Sequence, residues 1–214
     1  MNRSDVLGLI RSTGIVAIMR GIEEHKALRA AEALLKGGVK AIEVTFNTPG
    51  ADRIIMSIHE RFKEAVIVGA GTVTNPASAV RAIDCGAEFI LAPNTDPEVI
   101  ATVKRYGKIM VPGAFTATEV LKCYDYGADI VKIFPVSSVG PQYIGDLRGP
   151  YDYIELMAVG GVNADNVGKF IKSGAAAVGA GGSLLDRKQL DNDNYRAVEE
   201  LARRFTEEIR AARQ

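Results

Sequence analysis

Regular alternation is the feature that most constrains this chain. Short runs rich in Val, Ile and Ala recur, separated by longer segments with apolar residues at three- and four-residue steps. Eight runs read as strands: 15–20, 41–45, 66–72, 88–93, 109–112, 129–135, 154–159 and 176–180. Within 24–36, Ala27, Leu28, Ala31, Leu34 and Leu35 fall on one helical face. Segment 4–11 reads as a short leading helix and 192–212 as a long closing one. Strands that alternate with helices pair in parallel, because a parallel partner is reached only through a long crossover.

The alternation carries an internal repeat. GGVKAIEVTFNTP, CGAEFILAPNTDP, YGADIVKIFP and SGAAAVGAGGS share one layout: helix end, glycine, small residue, strand, turn. Their glycines, Gly38, Gly86, Gly127 and Gly174, are spaced 48, 41 and 47 residues apart. A βα unit of about 24 residues makes each gap two units, so the four segments hold every second strand of an eightfold array. The expected fold is α/β: a TIM (β/α)8 barrel with a short N-terminal helix, one domain over 1–214. A doubly wound open sheet is the structural rival. It needs fewer strands for this length, and GAGTV lacks the GxGxxG spacing of its fingerprint.

Punctuation agrees with the alternation. The glycines at 37–38, 86, 127 and 174 each follow a helical stretch, where a left-handed residue commonly ends the helix. Asn75-Pro76, Thr95-Asp96-Pro97 and Thr116 stand where helices should begin.

Composition removes several classes of function. Lys+Arg and Asp+Glu both number 26. Zero net charge offers no broad field for nucleic acid or an anionic membrane, so a bound anion needs a local site. Two cysteines, Cys85 and Cys123, make no disulfide framework and read as packing residues. His25 and His59 lack metal-ligand spacing and read as solvated helix positions. No apolar run reaches the roughly 18 residues of a membrane span. The N-terminal MNRSDVLGLIRSTG has no signal-peptide core, so a reduced, cytoplasmic setting is the default.

In a barrel, function gathers at the C-terminal strand ends. Lys132 sits in DIVKIFP, where alternation puts Ile130, Lys132 and Phe134 on one face and Val131 and Ile133 on the other. Either the lysine stem packs while its head reaches the rim, or the amine is desolvated. An ordinary lysine, with a pKa of about 10.4, is almost wholly protonated at pH 7. Burial favours the neutral form, which can condense with a ketone to a Schiff base. Glu43 in AIEVT shares a face with Ala41 and Thr45, while Ile42 and Val44 face the outer helices. It is either a structural ion-pair partner of Lys132 or Arg20, or a proton shuttle in a partly dry pocket.

The glycine-rich AVGGVNADN and AVGAGGSLLD follow the last two strands. Gly160-Gly161 and Gly181-Gly182-Ser183 either make tight turns or cradle a phosphate with backbone N–H groups, aided by a helix expected to start near Ser183. Arg20 ends the first strand and pairs with either a substrate carboxylate or a rim acid. Thr72 in GAGTV offers a hydroxyl to a carboxylate, and Pro93 in LAPN shapes the pocket wall.

IEVTFNTP, GAGTV, the AP ending the fourth strand, VPGAFTATE, VKIFP, GPQYI and GGVNADN together resemble the 2-keto-3-deoxy-6-phosphogluconate / 4-hydroxy-2-oxoglutarate aldolase family, in type and in order, from about residue 14 to 185. The resemblance implies a class I Schiff-base aldolase on a TIM barrel, a homotrimer, and no metal or other cofactor. It implies Lys132 as the Schiff-base lysine and Glu43 as the general acid/base. It places Thr72, Arg20 and Pro93 as carboxylate and pocket residues, with Gly160, Gly161, Gly181, Gly182 and Ser183 as phosphate loops. Two departures stand out. Asn47 occupies the place of an arginine found in many gluconate-type members, and Ala158-Val159 the place of a Pro-Thr pair. Both look closer to the 2-keto-3-deoxy-6-phosphogalactonate aldolases. The expected partner is a small phosphorylated keto acid. The expected reaction is cleavage of the gluconate substrate to pyruvate and glyceraldehyde 3-phosphate. The alternatives are the C4-epimeric galactonate substrate, a phosphosugar epimerase or isomerase, and a non-catalytic phosphosugar-binding module.

Overall fold

Each apolar run becomes a strand with every residue buried. The computed structural model describes residues 1–214. Its strands are β1 (Ile15–Met19), β2 (Ala41–Thr45), β3 (Ile67–Gly71), β4 (Phe89–Leu91), β5 (Ile109–Val111), β6 (Gly113–Ala114), β7 (Val131–Ile133), β8 (Leu156–Val159) and β9 (Ala177–Ala180). The helices are α1 (Arg3–Thr13), α2 (Glu24–Lys36), α3 (Ala51–Phe62), α4 (Pro76–Asp84), α5 (Pro97–Arg105), α6 (Ala117–Asp125), α7 (Pro141–Arg148), α8 (Val167–Lys172), α9 (Arg187–Asp191) and α10 (Tyr195–Ala212).

Strand pairing is parallel throughout, in the order β5-β4-β3-β2-β1-β9-β8-β7-β6. The two ends of that order, β5 and β6, are separated in sequence only by Pro112. β5 pairs with β4 (Ile90↔Met110) and β6 with β7 (Gly113↔Lys132). One stave therefore changes partner at a proline, which has no N–H to donate, and the sheet closes into a barrel of eight staves. The run expected at 109–112 is β5, and the stave continues past Pro112 as the short β6, which lies beyond the expected bounds. Closure leaves no free sheet edge.

The αβ turns follow the repeat. Gly38, Gly86, Gly127 and Gly174 have φ of 91, 99, 94 and 99°. Asn75, Asp96 and Thr116 cap α4, α5 and α6, and Thr116 forms a reciprocal box with Glu119.

Two expectations are corrected. No helix starts at Ser183; residues 181–185 form a single turn closed by Leu184 and Leu185 N–H groups on the Gly181 carbonyl. Three glycines in four residues from Gly179 leave little side chain to hold a helix there. The closing helix starts at Tyr195, because Asn194 caps it and Asp193 takes a φ of 54°.

Strand alternation divides the core. Ile15, Ala17, Met19, Ile42, Val44, Val131 and Ile133 pack under the outer helices. Val16, Ile18, Ala41, Ile67, Phe89, Ile130 and Met157 fill the lumen. Helix α1 stops the N-terminal mouth with Val6 and Ile10. Beside it the buried Asp129 carboxylate accepts from Arg3, from Lys104 at 3.0 Å and from the Met110 N–H at 2.8 Å. With that end plugged, the lumen opens only at the C-terminal strand ends.

Candidate active site

The open mouth holds a cavity of about 530 Å³. Its wall includes Arg20, Glu43, Thr72, Pro93, Lys132, Phe134, Gly160, Gly161, Gly181, Gly182 and Ser183. The structure thus brings every sequence-predicted site residue to one place. A cavity of about 510 Å³ at the opposite face, beside Met1, His59 and Glu88, holds no comparable grouping.

Lys132 and Glu43 meet across the lumen. β2 and β7 are four staves apart whichever way round the closed barrel is followed. Inward side chains on opposite staves converge on the axis. Lys132 is 6% exposed and Glu43 1%. No ion pair or hydrogen bond joins them, and Glu43 Oε2 is buried without a hydrogen-bond partner. The structural ion pair weighed from sequence is therefore not made. Burial is the main force on both groups. It pushes the Lys132 amine down; Glu43 pulls it back up and Arg20 pushes it further down. Burial pushes the Glu43 carboxyl up, against the pull of Lys132 and Arg20. A buried amine and carboxyl with their charges disfavoured are suited to nucleophilic attack and proton transfer near neutrality.

Phe134 forms the lip of the cavity, its ring centroid 5.0 Å from Lys132 Nζ. Thr72 follows β3 with a φ of 59°. That region is a genuine outlier for a β-branched residue, of a kind that clusters at functional sites. Arg20 makes no ion pair; its Nη1 donates to Asn47 Oδ1 at 3.1 Å. The rim salt bridge weighed from sequence is absent.

Gly160 and Gly161 have φ of 90 and 88°. Their Cα atoms also press on the segment after β7: an added Cβ would come within 3.1 Å of Pro135 and 2.7 Å of Ser137. Tight packing and an open backbone coexist there. The Ser183 hydroxyl donates to the Val162 carbonyl at 2.5 Å, tying the two glycine loops together.

Sequence reading passed over four further wall residues, Ile18, Val162, Asn163 and Gly179, and did not place Val159 in the wall. Asn163 could have been found: in GGVNADN its Oδ1 accepts from the Asp165 and Asn166 N–H groups, a local turn that Asn commonly makes. Neither His25 nor His59 reaches the cavity, and both are exposed. No group of three or more His, Cys, Asp or Glu is arranged to hold a metal, and no helix is long and apolar enough to cross a membrane.

Fold and site define an α/β barrel protein with a desolvated lysine and carboxyl at its catalytic face. Residues 6–201 match the family model for KDPG and KHG aldolases. The chain is 37% identical over 172 residues to the 2-dehydro-3-deoxy-6-phosphogalactonate aldolase of Escherichia coli, covering 79% of this chain and 83% of that one. It is 32% identical to the KHG/KDPG aldolase of the same organism, covering 86% of each. It superposes on a solved KDPGal structure with a TM-score of 0.88 at 34% identity, over 94% of this chain and 96% of the other. The chain belongs to the KDPG and KHG aldolase family, and it is a carbon–carbon lyase.

Proposed function

We propose that this aldolase cleaves a phosphorylated 2-keto-3-deoxy sugar acid to pyruvate and glyceraldehyde 3-phosphate through a Schiff base on Lys132. The observation that carries this reading is that a buried amine and a buried carboxyl, whose Oε2 has no hydrogen-bond partner, line one cavity. The neutral Lys132 amine attacks the C2 ketone. Glu43 gives a proton to the departing carbinolamine hydroxyl, leaving an iminium and a carboxylate. That carboxylate takes the C4 hydroxyl proton, C3–C4 breaks, and its electrons neutralise the iminium as an enamine. After the aldehyde leaves, Glu43 returns its proton to C3. Water then adds to the iminium, its surplus proton goes back to the Glu43 carboxylate, and pyruvate and the neutral amine are released.

Arg20 and Thr72 are assigned to the substrate carboxylate. The loops at Gly160-Gly161 and Gly181-Gly182-Ser183 are assigned to the phosphate, held by backbone N–H groups. Pro93 and Phe134 shape the wall and lip. The sequence placed the gluconate substrate first. Asn47, the hydroxyl-free Val159 in the cavity wall and the 37% identical relative favour its C4 epimer, 2-dehydro-3-deoxy-6-phosphogalactonate, and we adopt that order. Trimeric assembly is part of the same proposal.

Borohydride trapping with pyruvate tests the chemistry. The native protein should gain a reduced adduct at Lys132 and Lys132→Ala none; an unchanged adduct on Lys132→Ala rejects the assignment. A phosphosugar-binding module would bind phosphate and trap nothing, and a metal-dependent epimerase would lose activity in EDTA. Parallel assays on the two epimers decide the substrate.

A further inference from the structure

Residues 45–48, at the end of β2 and just after it, hold the Arg20 side chain and the backbone on either side of it. Thr45 and Thr48 are almost wholly buried, 0% and 4% exposed, and the chemistry above does not use them. Their hydroxyls form one directed chain. The Gly21 N–H donates to Thr48 Oγ1 at 2.9 Å, the Thr48 hydroxyl to Thr45 Oγ1 at 3.0 Å, and the Thr45 hydroxyl to the Met19 carbonyl at 3.3 Å. The chain starts and ends on the two residues that flank Arg20, so it pins the backbone on both sides. The guanidinium itself is held by Asn47, at 3.1 Å.

We propose that Asn47, backed by the Thr45–Thr48 hydroxyl chain, is a positioning residue that aims Arg20 at the carboxylate of the keto acid. The proposal rests on the aldolase reading above. A guanidinium reads a carboxylate through a planar fork, so its orientation matters as much as its charge. Asn47 supplies an acceptor without a charge. Arg20 is oriented, and its positive charge is left for the substrate; an aspartate at the same place would orient it and cancel it.

The test measures pyruvate trapping over a range of pyruvate concentrations. Asn47→Ala should raise the half-saturating concentration about tenfold, which is about 1.4 kcal/mol. Asn47→Asp should raise it further, and the limiting rate should stay within about threefold in both. In an Arg20→Gln background, Asn47→Ala should add nothing, since one interaction cannot be lost twice. Thr48→Ser should behave as native and Thr48→Val as Asn47→Ala. Unchanged half-saturation, or penalties that add, overturns the proposal. Nitrogen-15 NMR of the guanidinium gives a readout independent of turnover: rotation about the Arg20 Cζ–Nη bonds should be slow in the native protein and fast in Asn47→Ala. Fast rotation in the native protein overturns the clasp whether or not pyruvate reacts. A native protein that traps no pyruvate overturns the aldolase reading instead, and the NMR result still decides the clasp.

Discussion

Glu43 occupies the space that a side chain on Gly71 would fill: an added Cβ would stand 1.6 Å from its Oε1 and 2.2 Å from its carboxyl carbon. The two sit on neighbouring strands, β2 and β3, and both reach the lumen. Gly71→Ala should therefore displace the carboxyl and leave the barrel intact. A displacement of about 1 Å is expected to lower turnover by about 100-fold. Overpacking should lower stability by about 1–3 kcal/mol. Steady-state turnover and denaturant titration of the same variant check this, and near-native turnover would refute it.

The pH dependence of trapping should respond to charge in opposite directions at two positions. Only the neutral amine attacks, so the rate rises with pH through the Lys132 pKa. The Glu43 carboxylate holds that pKa up and Arg20 presses it down. Glu43→Gln should move the rising limb to lower pH, and Arg20→Gln to higher pH. A shift of both variants in the same direction would show that the two charges do not act on Lys132 as described.

Buried Lys132 should cost stability in a defined pH window. Its folded pKa lies below the ordinary lysine value. The unfolded chain binds more protons between the two, so stability rises with pH across that window and is lost as pH falls through the folded value. Lys132→Met removes the slope. It should be more stable than the native protein at pH 7, by about 1–3 kcal/mol, with the advantage vanishing near pH 10.4, the usual lysine value of about that size. Urea titrations at several pH values measure it, and a constant difference would rule the explanation out.

Thr72→Gly should separate strain from binding. Releasing the residue from its φ of 59° recovers about 1–3 kcal/mol. Glycine's added freedom in the unfolded chain offsets about 0.5–1 kcal/mol of that. The melting temperature should not fall, while the half-saturating pyruvate concentration should rise. A clear drop in melting temperature would mean that the threonine side chain supports the fold.

Asp129 should be a stability residue far from the chemistry. Its carboxylate is 6% exposed and holds Arg3, Lys104 and the Met110 N–H together. Asp129→Ala leaves that N–H and two partly exposed cations without their acceptor. The expected loss is about 2–3 kcal/mol, read by chemical denaturation, with trapping by folded protein unchanged. Lost trapping in fully folded protein would place Asp129 in the catalytic machinery.

The site was legible where chemistry conflicts with pattern. Lys132 and Glu43 stand out because a charged residue interrupts an apolar strand, and alternation alone assigns each to the inner face. Arg20, Thr72 and Pro93 follow from their places at strand ends. Ser183 was read from an expected helix start, whereas it lines the cavity from a turn. Asn47 could be read only as a departure from a pattern, because its partner is 27 residues away in sequence.

Local periodicities belong to the sequence by itself: which runs become strands, which side chains face inward, and where the glycines end the helices. They are set by neighbours two to four residues apart, so one chain suffices to read them. Tertiary structure alone decided the partner change at Pro112, the opposition of β2 and β7, the fit of Glu43 against Gly71 and the hold on Arg20. Each of these depends on which distant strands become adjacent when the barrel closes, and closure is a property of the whole ring.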